Sequence, residues 1–321
     1  VTIWTEGRVH CVDCLEAMVE LPGGSVNLMA TDPPYFKVKG EAWDRQWDRP
    51  EQFIAWVGRL CEQWQRILAP NGSLYVFASP KMAARVEVEV GRWFEVLNHI
   101  VWRKPPFGTK AEMFVKEDLR CFFPASESII FAEHRNVSAR PGGEAWNSLI
   151  HDSRIRQNMS RQDVSEYVVG SRSGACWNWE SGIRFPCREH WQKLRDLFPR
   201  LPRYQDVERP FTVTADVPYT DVWDFRTVGH YKGKHPCEKP LDMMEHIVTA
   251  SSRPGDLVLD GFAGSGTTGV AAVRLGRRFI GFEINEDYCR IANERIEAER
   301  KGQDLKSYKE GQETLFNPGE P

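Results

Sequence analysis

Long apolar runs are missing from this chain of 321 residues. No stretch approaches the ~20 residues that a membrane-spanning helix requires, and no signal peptide opens the sequence. Charge of one sign is missing as well. The 42 Lys/Arg and 45 Asp/Glu leave a net charge of −3, which by itself announces no nucleic-acid partner. The eight cysteines are scattered without a framework, which argues against a disulfide scaffold and makes the reducing cytoplasm the expected location. The pair in CVDC (11–14) has CxxC spacing, but no second pair stands at zinc-site distance, so no metal is expected. Internal repeats are absent too.

What is present is an ordinary globular composition, 41% hydrophobic and 27% charged, with an uneven charge distribution. Residues 101–210 carry 18 Lys/Arg against 14 Asp/Glu, so a basic middle lies between acidic flanks. Apolar runs at 8–11, 26–32, 73–79, 96–102, 127–134, 256–260 and 278–284 read as strands. Helical periodicity falls at 50–68, 81–93, 240–252, 267–276 and 286–300, and APNG (69–72) reads as a turn. The alternation predicts an α/β fold: a mostly parallel seven-stranded sheet with helices on both faces. Residues 135–215 interrupt it, rich in Arg, Ser, Pro and Trp, with helix-like patches at 161–169 and 187–198. The expected division is a first half over 1–134, an inserted, mainly helical region over 135–215, a second half over 216–300, and a polar tail over 301–321.

Two punctuation marks carry chemistry. The strand VNLMA ends abruptly at TDPPY (31–35). Prolines lack the N–H a central ladder needs, so Asp32 and Tyr35 are held by Pro33 and Pro34 in a stiff turn at a strand's carboxyl end. The second mark is LDGFAGSGTTG, in which Gly264, Gly266 and Gly269 form a G-x-G-x-x-G between a strand and a helix. Glycines there let the backbone approach a ligand, and Glu283, ending the next strand, is placed to take two ribose hydroxyls. That pattern suits NAD and S-adenosylmethionine equally. Chain order separates them: only 38 residues follow Glu283, too few for a second nucleotide-binding half, so the rest of the site must lie upstream.

With both marks, the chain resembles an amino-group DNA methyltransferase of the permuted class, in which the catalytic motif precedes the cofactor motif. VHCVDCLEAMVELPGGSVNLMATDPPY, SESIIFAEH and KHPCEKPLDMMEHIVTASSRPGDLVLDGFAGSGTTGVAA carry the likeness, over roughly 8–134 and 220–297. It departs at Gly261, where the family often has proline, and at Val12, where glycine is common. The resemblance implies a Rossmann-like sheet, S-adenosylmethionine as cofactor and double-stranded DNA as partner. It implies that Asp260, Phe262, Gly264, Ser265, Gly266 and Thr267 surround the cofactor, that Glu283 holds its ribose and that Asp13 contacts its adenine. Lys239, in EKP, resembles a cofactor-side residue. Asp13 reads equally as the N-cap of a helix over CLEAM.

The exocyclic amine of adenine is a poor nucleophile, because its lone pair is delocalised into the ring. Asp32 and the Pro33 carbonyl are the expected acceptors that draw it toward sp³, with Tyr35 stacked on an extruded base. An acid at position 32 favours adenine within the family; cytosine N4 is the alternative. Trp43 and Trp47 either fill the gap in the base stack or pin their own loop. Arg103, Lys104 and Lys110 are expected at phosphates. Arg154, Arg156, Arg161, Arg172, Arg184 and Arg188 make residues 135–215 the expected target-recognition region, unless that region only braces the fold or a homodimer. QETLF (312–316) resembles the peptide by which bacterial proteins dock on the sliding clamp, through Gln312, Leu315 and Phe316.

Overall fold

The computed structural model describes residues 4–38, 44–104, 122, 124–134, 146–181, 184–211, 220–229 and 236–303. Its strands are β1 (Arg8–Cys11), β2 (Val26–Thr31), β3 (Leu68–Ala78), β4 (Phe94–Arg103), β5 (Ser126–His134), β6 (Val222–Trp223), β7 (Leu257–Asp260) and β8 (Arg278–Glu283). Its helices are α1 (Cys14–Val19), α2 (Pro50–Ile67), α3 (Ala83–Trp93), α4 (Trp146–Arg156), α5 (Arg161–Val169), α6 (Ala175–Glu180), α7 (Arg188–Leu197), α8 (Leu241–Ser251), α9 (Thr267–Arg274) and α10 (Glu286–Arg300).

One sheet runs in the order β1-β8-β7-β2-β3-β5-β4-β6. The α/β architecture is the expected one, but among the described residues the strands number eight rather than seven. The extra strand, β6, pairs only Val222 and Trp223 with Val101 and Trp102. Two residues show no period, so neighbours rather than sequence make it a strand. The ladders are parallel except around β5, which runs antiparallel to both β3 and β4. The expected turn at 69–72 survives as a bulge: Val26 pairs with Leu68 and Leu28 with Ser73.

Side-chain alternation along the central strands sorts the core onto two faces. Leu74 and Val76 of β3 join Met18, Phe53, Leu60 and Trp64 on the α1–α2 side. Tyr75 and Phe77 join Met243, Ile247, Val270 and Ile296 on the α8–α9–α10 side. Each such side chain contributes ~1.5–3 kcal/mol on burial. Helix α2 shows why these segments are helical. Pro50 sits in its first turn, and the Gln52 side chain accepts from the amides of Asp48 (2.9 Å) and Arg49 (3.1 Å). Its Phe53, Val57, Leu60, Cys61, Trp64 and Ile67 then recur on one buried face.

From β2 the chain proceeds through α2 to β3 on one side; from β7 it proceeds through α9 to β8 on the other. The adjacent carboxyl ends of β2 and β7 therefore form the switch point where an open α/β sheet binds ligands.

Helices α4–α7 have their own core, built on Ile150, Val164, Val168, Trp179, Trp191, Leu194 and Phe198. The two unforeseen helices are α4 and α6. Apolar residues in WNSLIHDSRIR keep to no single face, so α4 leaves little periodic trace. The segment after α7 is fastened at the amino-terminal edge of the parallel strands. Asn71 donates to the carbonyls of Gln205 (3.3 Å) and Glu208 (2.9 Å), and Arg253 pairs with Glu208 (2.7 Å).

Candidate active site

The two sequence marks meet. The Thr31 hydroxyl donates to Asp260 Oδ1 (3.2 Å), the Thr268 hydroxyl donates to Asp260 Oδ2 (2.6 Å), and the Phe262 amide donates to Asp260 Oδ1 (3.0 Å). Asp260 thus ties the ends of β2 and β7 to the first turn of α9. Burial raises its carboxyl to about 6, against the partial relief of these donors.

Around this knot opens a cavity of about 440 Å³, large enough for a cofactor-sized ligand. Its lining brings together Asp32, Pro33, Pro34 and Tyr35 with Asp13, Lys239, Asp260, Phe262, Gly264, Ser265, Thr267 and Glu283. Gly266 is not in the wall. It turns α9 into its first turn with φ +81, and a Cβ there would lie 2.7 Å from the Cβ of Ala292 in α10. Its role is therefore close helix packing. A Cβ at Gly261 would meet Thr31 Oγ1 at 3.6 Å, an ordinary contact, so space does not demand glycine there.

Glu283 accepts from the amides of Gly264 (2.8 Å) and Asn285 (2.9 Å), one on each oxygen. Burial raises its carboxyl and these amides partly offset the rise. Each oxygen keeps a lone pair for another donor. Next to it Ile284 is 68% exposed and lines the same cavity, which gives the carboxylate an apolar neighbour. Asp13 is the N-cap of α1, accepting from Leu15 N (2.8 Å), and it also lines the cavity. An apolar wall and several carboxylates suit a cationic sulfonium cofactor.

Asp32 sits at the other end of the wall in a charged cluster that sequence reading missed. Lys239 donates to Asp32 Oδ2 and stands 3.5 Å from Glu127 Oε2. Tyr35 donates its hydroxyl to Glu127 Oε2 (3.1 Å), and Lys104 donates to Glu127 Oε1. Among the described residues, Asp32 Oδ1 is buried and has no hydrogen-bond partner. Burial raises the Asp32 carboxyl despite Lys239. Burial works on Glu127 in the same direction, but Lys239 and Lys104 outweigh it and hold that carboxyl low. Glu127 reaches the site because β5 runs antiparallel, which puts its first residues at the carboxyl edge of the parallel strands.

The proposed DNA contacts are less concentrated. Trp47 is buried against Phe53 (5.0 Å) and Trp56 (4.8 Å), so it pins its loop. Arg103 is exposed but forks onto Asp224 (2.6 and 2.7 Å). Arg154 is buried on Glu180, which also receives Arg161. Arg172 pairs with Asp163 (2.9 Å) and Glu166 (3.1 Å). Arg188 lies over the Tyr204 ring at 5.3 Å. Arg156 and Arg184 are exposed. None of these arginines lines the cavity. Trp43, Lys110, Gln312, Leu315 and Phe316 lie outside the described residues. Among the described residues, no group of His, Cys, Asp and Glu is arranged to hold a metal, and no helix is long and apolar enough to cross a membrane.

A family model described as DNA methylase matches residues 26–294, spanning most of the cavity wall. The chain belongs to the N6/N4 DNA methylase family. These methyltransferases use S-adenosylmethionine. Over 310 residues the chain is 50% identical to type II methyltransferase M2.DpnII of Streptococcus pneumoniae, covering 90% of this chain and 89% of that one. It is 26% identical over 294 residues to DNA adenine methyltransferase YhdJ of Escherichia coli, covering 89% and 81%. Among solved structures it resembles the modification methylase TTHA0409 of Thermus thermophilus complexed with S-adenosyl-L-methionine, with a TM-score of 0.54, 25% identity and coverage of 92% and 95%. The PvuII cytosine-N4-specific DNA methyltransferase shares the fold, with a TM-score of 0.57, 18% identity and coverage of 98% and 94%.

Proposed function

We propose that this methyltransferase acts on the N6 amine of adenine extruded from double-stranded DNA, with the permuted order of motifs and DPPY as its catalytic turn. The observation that carries the reading is the buried, unpartnered Asp32 Oδ1 in a cavity whose far wall is the glycine turn. A buried acceptor without a donor costs about 1–3 kcal/mol, and an incoming amine relieves that cost. The Lys239-bound oxygen fixes the carboxylate, so Oδ1 accepts one amine hydrogen and the Pro33 carbonyl accepts the other. The nitrogen lone pair is then freed from the ring. Tyr35, fixed through its hydroxyl, offers its ring to the base, worth ~1–3 kcal/mol.

When bound, S-adenosylmethionine supplies a methyl group already activated on a sulfonium. Glu283, Phe262, Ile284, Gly264 and Asp13 would hold it. The chain's own contribution is alignment, because the donor is already activated. Adenine is favoured over cytosine by the acid at position 32 and by the adenine-specific name of the YhdJ relative. The deciding experiment incubates duplex DNA with methyl-labelled S-adenosylmethionine and resolves the digested nucleosides. Label in N6-methyl-2′-deoxyadenosine is the expected product; label in N4-methyl-2′-deoxycytidine would assign the other amine, and absence of label would refute the enzyme reading.

A further inference from the structure

The charged cluster beneath Asp32 does more than fill space. Lys239 is buried, and the Glu127 side chain is only 15% exposed. Each makes its ionic contacts inside the cluster: Lys239 to Asp32 and Glu127, Glu127 to Lys239 and Lys104, with Tyr35 donating to Glu127 as well. Lys239 also lies 5.0 Å from the Phe77 ring centroid and 5.7 Å from that of Tyr35, so apolar and aromatic surface screens it from water. Two carboxylates and two ammoniums balance, and among the described residues the pairing leaves one oxygen of Asp32 without a partner.

We propose that Lys239 and Glu127 are positioning residues for methyl transfer: Glu127 holds Lys239 and Tyr35, and Lys239 fixes one Asp32 oxygen so that the other faces the target amine. This deepens the reading of Asp32 as the amine acceptor and rests on it. Lys239, expected from sequence on the cofactor side, thereby acts on the substrate side. Sequence reading had no signal for Glu127 beyond its place in an apolar strand.

The arrangement gives the two partners opposite effects on the acceptor. The groups facing Asp32 are Lys239, Glu127, Tyr35 and Asp260; Cys237 faces Lys239, and Lys104 faces Glu127. Lys239 favours the charged Asp32 and Glu127 opposes it. The charged Asp32 accepts from the amine far more strongly than the neutral acid, so the carboxylate is the working form. Removing the Lys239 charge therefore moves the acid limb of the methylation rate to higher pH. Removing the Glu127 charge moves it to lower pH, while an amide oxygen still accepts from Tyr35.

The test is the pH dependence of single-turnover methyl transfer by the full chain, wild type against Lys239→Met and Glu127→Gln, with S-adenosylmethionine affinity measured on each. We expect limbs displaced in opposite directions, a rate on the acid side of the limb roughly tenfold lower in K239M per unit of displacement, and cofactor affinity within a few-fold of wild type. Limbs that coincide with wild type, or shift the same way in both variants, overturn the proposal. Should K239M fail to fold, the isosteric E127Q decides alone by the direction of its limb. Inactive wild-type protein would instead strike the Asp32 reading itself.

Discussion

Thr31 and Asp260 meet across 229 positions of sequence, the hydroxyl of one 3.2 Å from a carboxylate oxygen of the other. This bond joins the strand that delivers Asp32 to the strand that delivers the glycine turn. It makes a single cavity of motifs that the chain encodes far apart, and it places a buried carboxylate, Asp260, at the junction.

Asp260 should make stability depend on pH in a definite sense. Its folded value of about 6 exceeds the ordinary ~3.9 of an aspartate. The folded chain therefore holds that proton more tightly than the unfolded chain. The resulting stabilisation is full below about pH 4 and is lost as pH rises through 6, about 3 kcal/mol in all at ~1.4 kcal/mol per unit. Urea unfolding of wild type and Asp260→Asn between pH 4 and 7 checks this. Wild type should lose stability relative to the variant as pH rises; a constant difference would contradict it.

Gly266→Ala should be costly despite its small size. The site has φ +81, and the added methyl meets Ala292 Cβ at 2.7 Å and Cα at 2.9 Å. Strain of ~1–2 kcal/mol from the left-handed backbone adds to a contact that backbone must absorb. Thermal unfolding should show a loss of about 2 kcal/mol or more, and calorimetry a weaker S-adenosylmethionine affinity, because α9 carries Thr267 and Thr268 into the site.

The arginines of the inserted helices should divide by environment. Arg154 is buried against Glu180, so Arg154→Ala leaves a carboxylate less compensated and should destabilise the α4–α7 core by roughly 3–5 kcal/mol. Exposed Arg156 should behave otherwise. Arg156→Ala should leave the melting temperature unchanged and reduce the salt dependence of DNA affinity by about one phosphate's worth if it touches the backbone. Unfolding scans and binding titrations across salt concentrations separate the two.

We propose that QETLF (312–316) docks on the bacterial sliding clamp independently of methyl transfer. Replacing Leu315 and Phe316 by alanine should abolish capture of the chain on immobilised bacterial sliding clamp while leaving methyl transfer intact. Equal capture of wild type and variant would remove Leu315 and Phe316 as the contact, and capture of neither would remove the clamp as a partner.

Much of the site is legible because local chemistry dictates it. Pro33 and Pro34 end β2 wherever it lies, and Gly264 and Gly266 turn the chain before α9 whatever surrounds them. The strands announce themselves as short apolar runs bounded by turn residues. What stays hidden depends on tertiary neighbours. Trp223 is a strand residue only because Trp102 lies beside it. Glu127 is a site residue only because β5 is inserted antiparallel between β3 and β4, a choice no local pattern encodes. The arginines between 154 and 188 look alike in sequence, yet burial gives Arg154 an internal partner and leaves Arg156 in solvent.

Asp32→Ala tests the central relationship most directly, by measuring single-turnover methyl transfer and S-adenosylmethionine affinity on the same preparation. Loss of a preorganised polar contact to a reacting group typically costs ~10²–10³ in rate. The expected result is transfer reduced at least that far with cofactor affinity within about threefold of wild type, since Glu283 and the glycine turn are untouched. Methylation within about tenfold of wild type would show that Asp32 does not hold the amine, and the joined cavity would have no catalytic meaning.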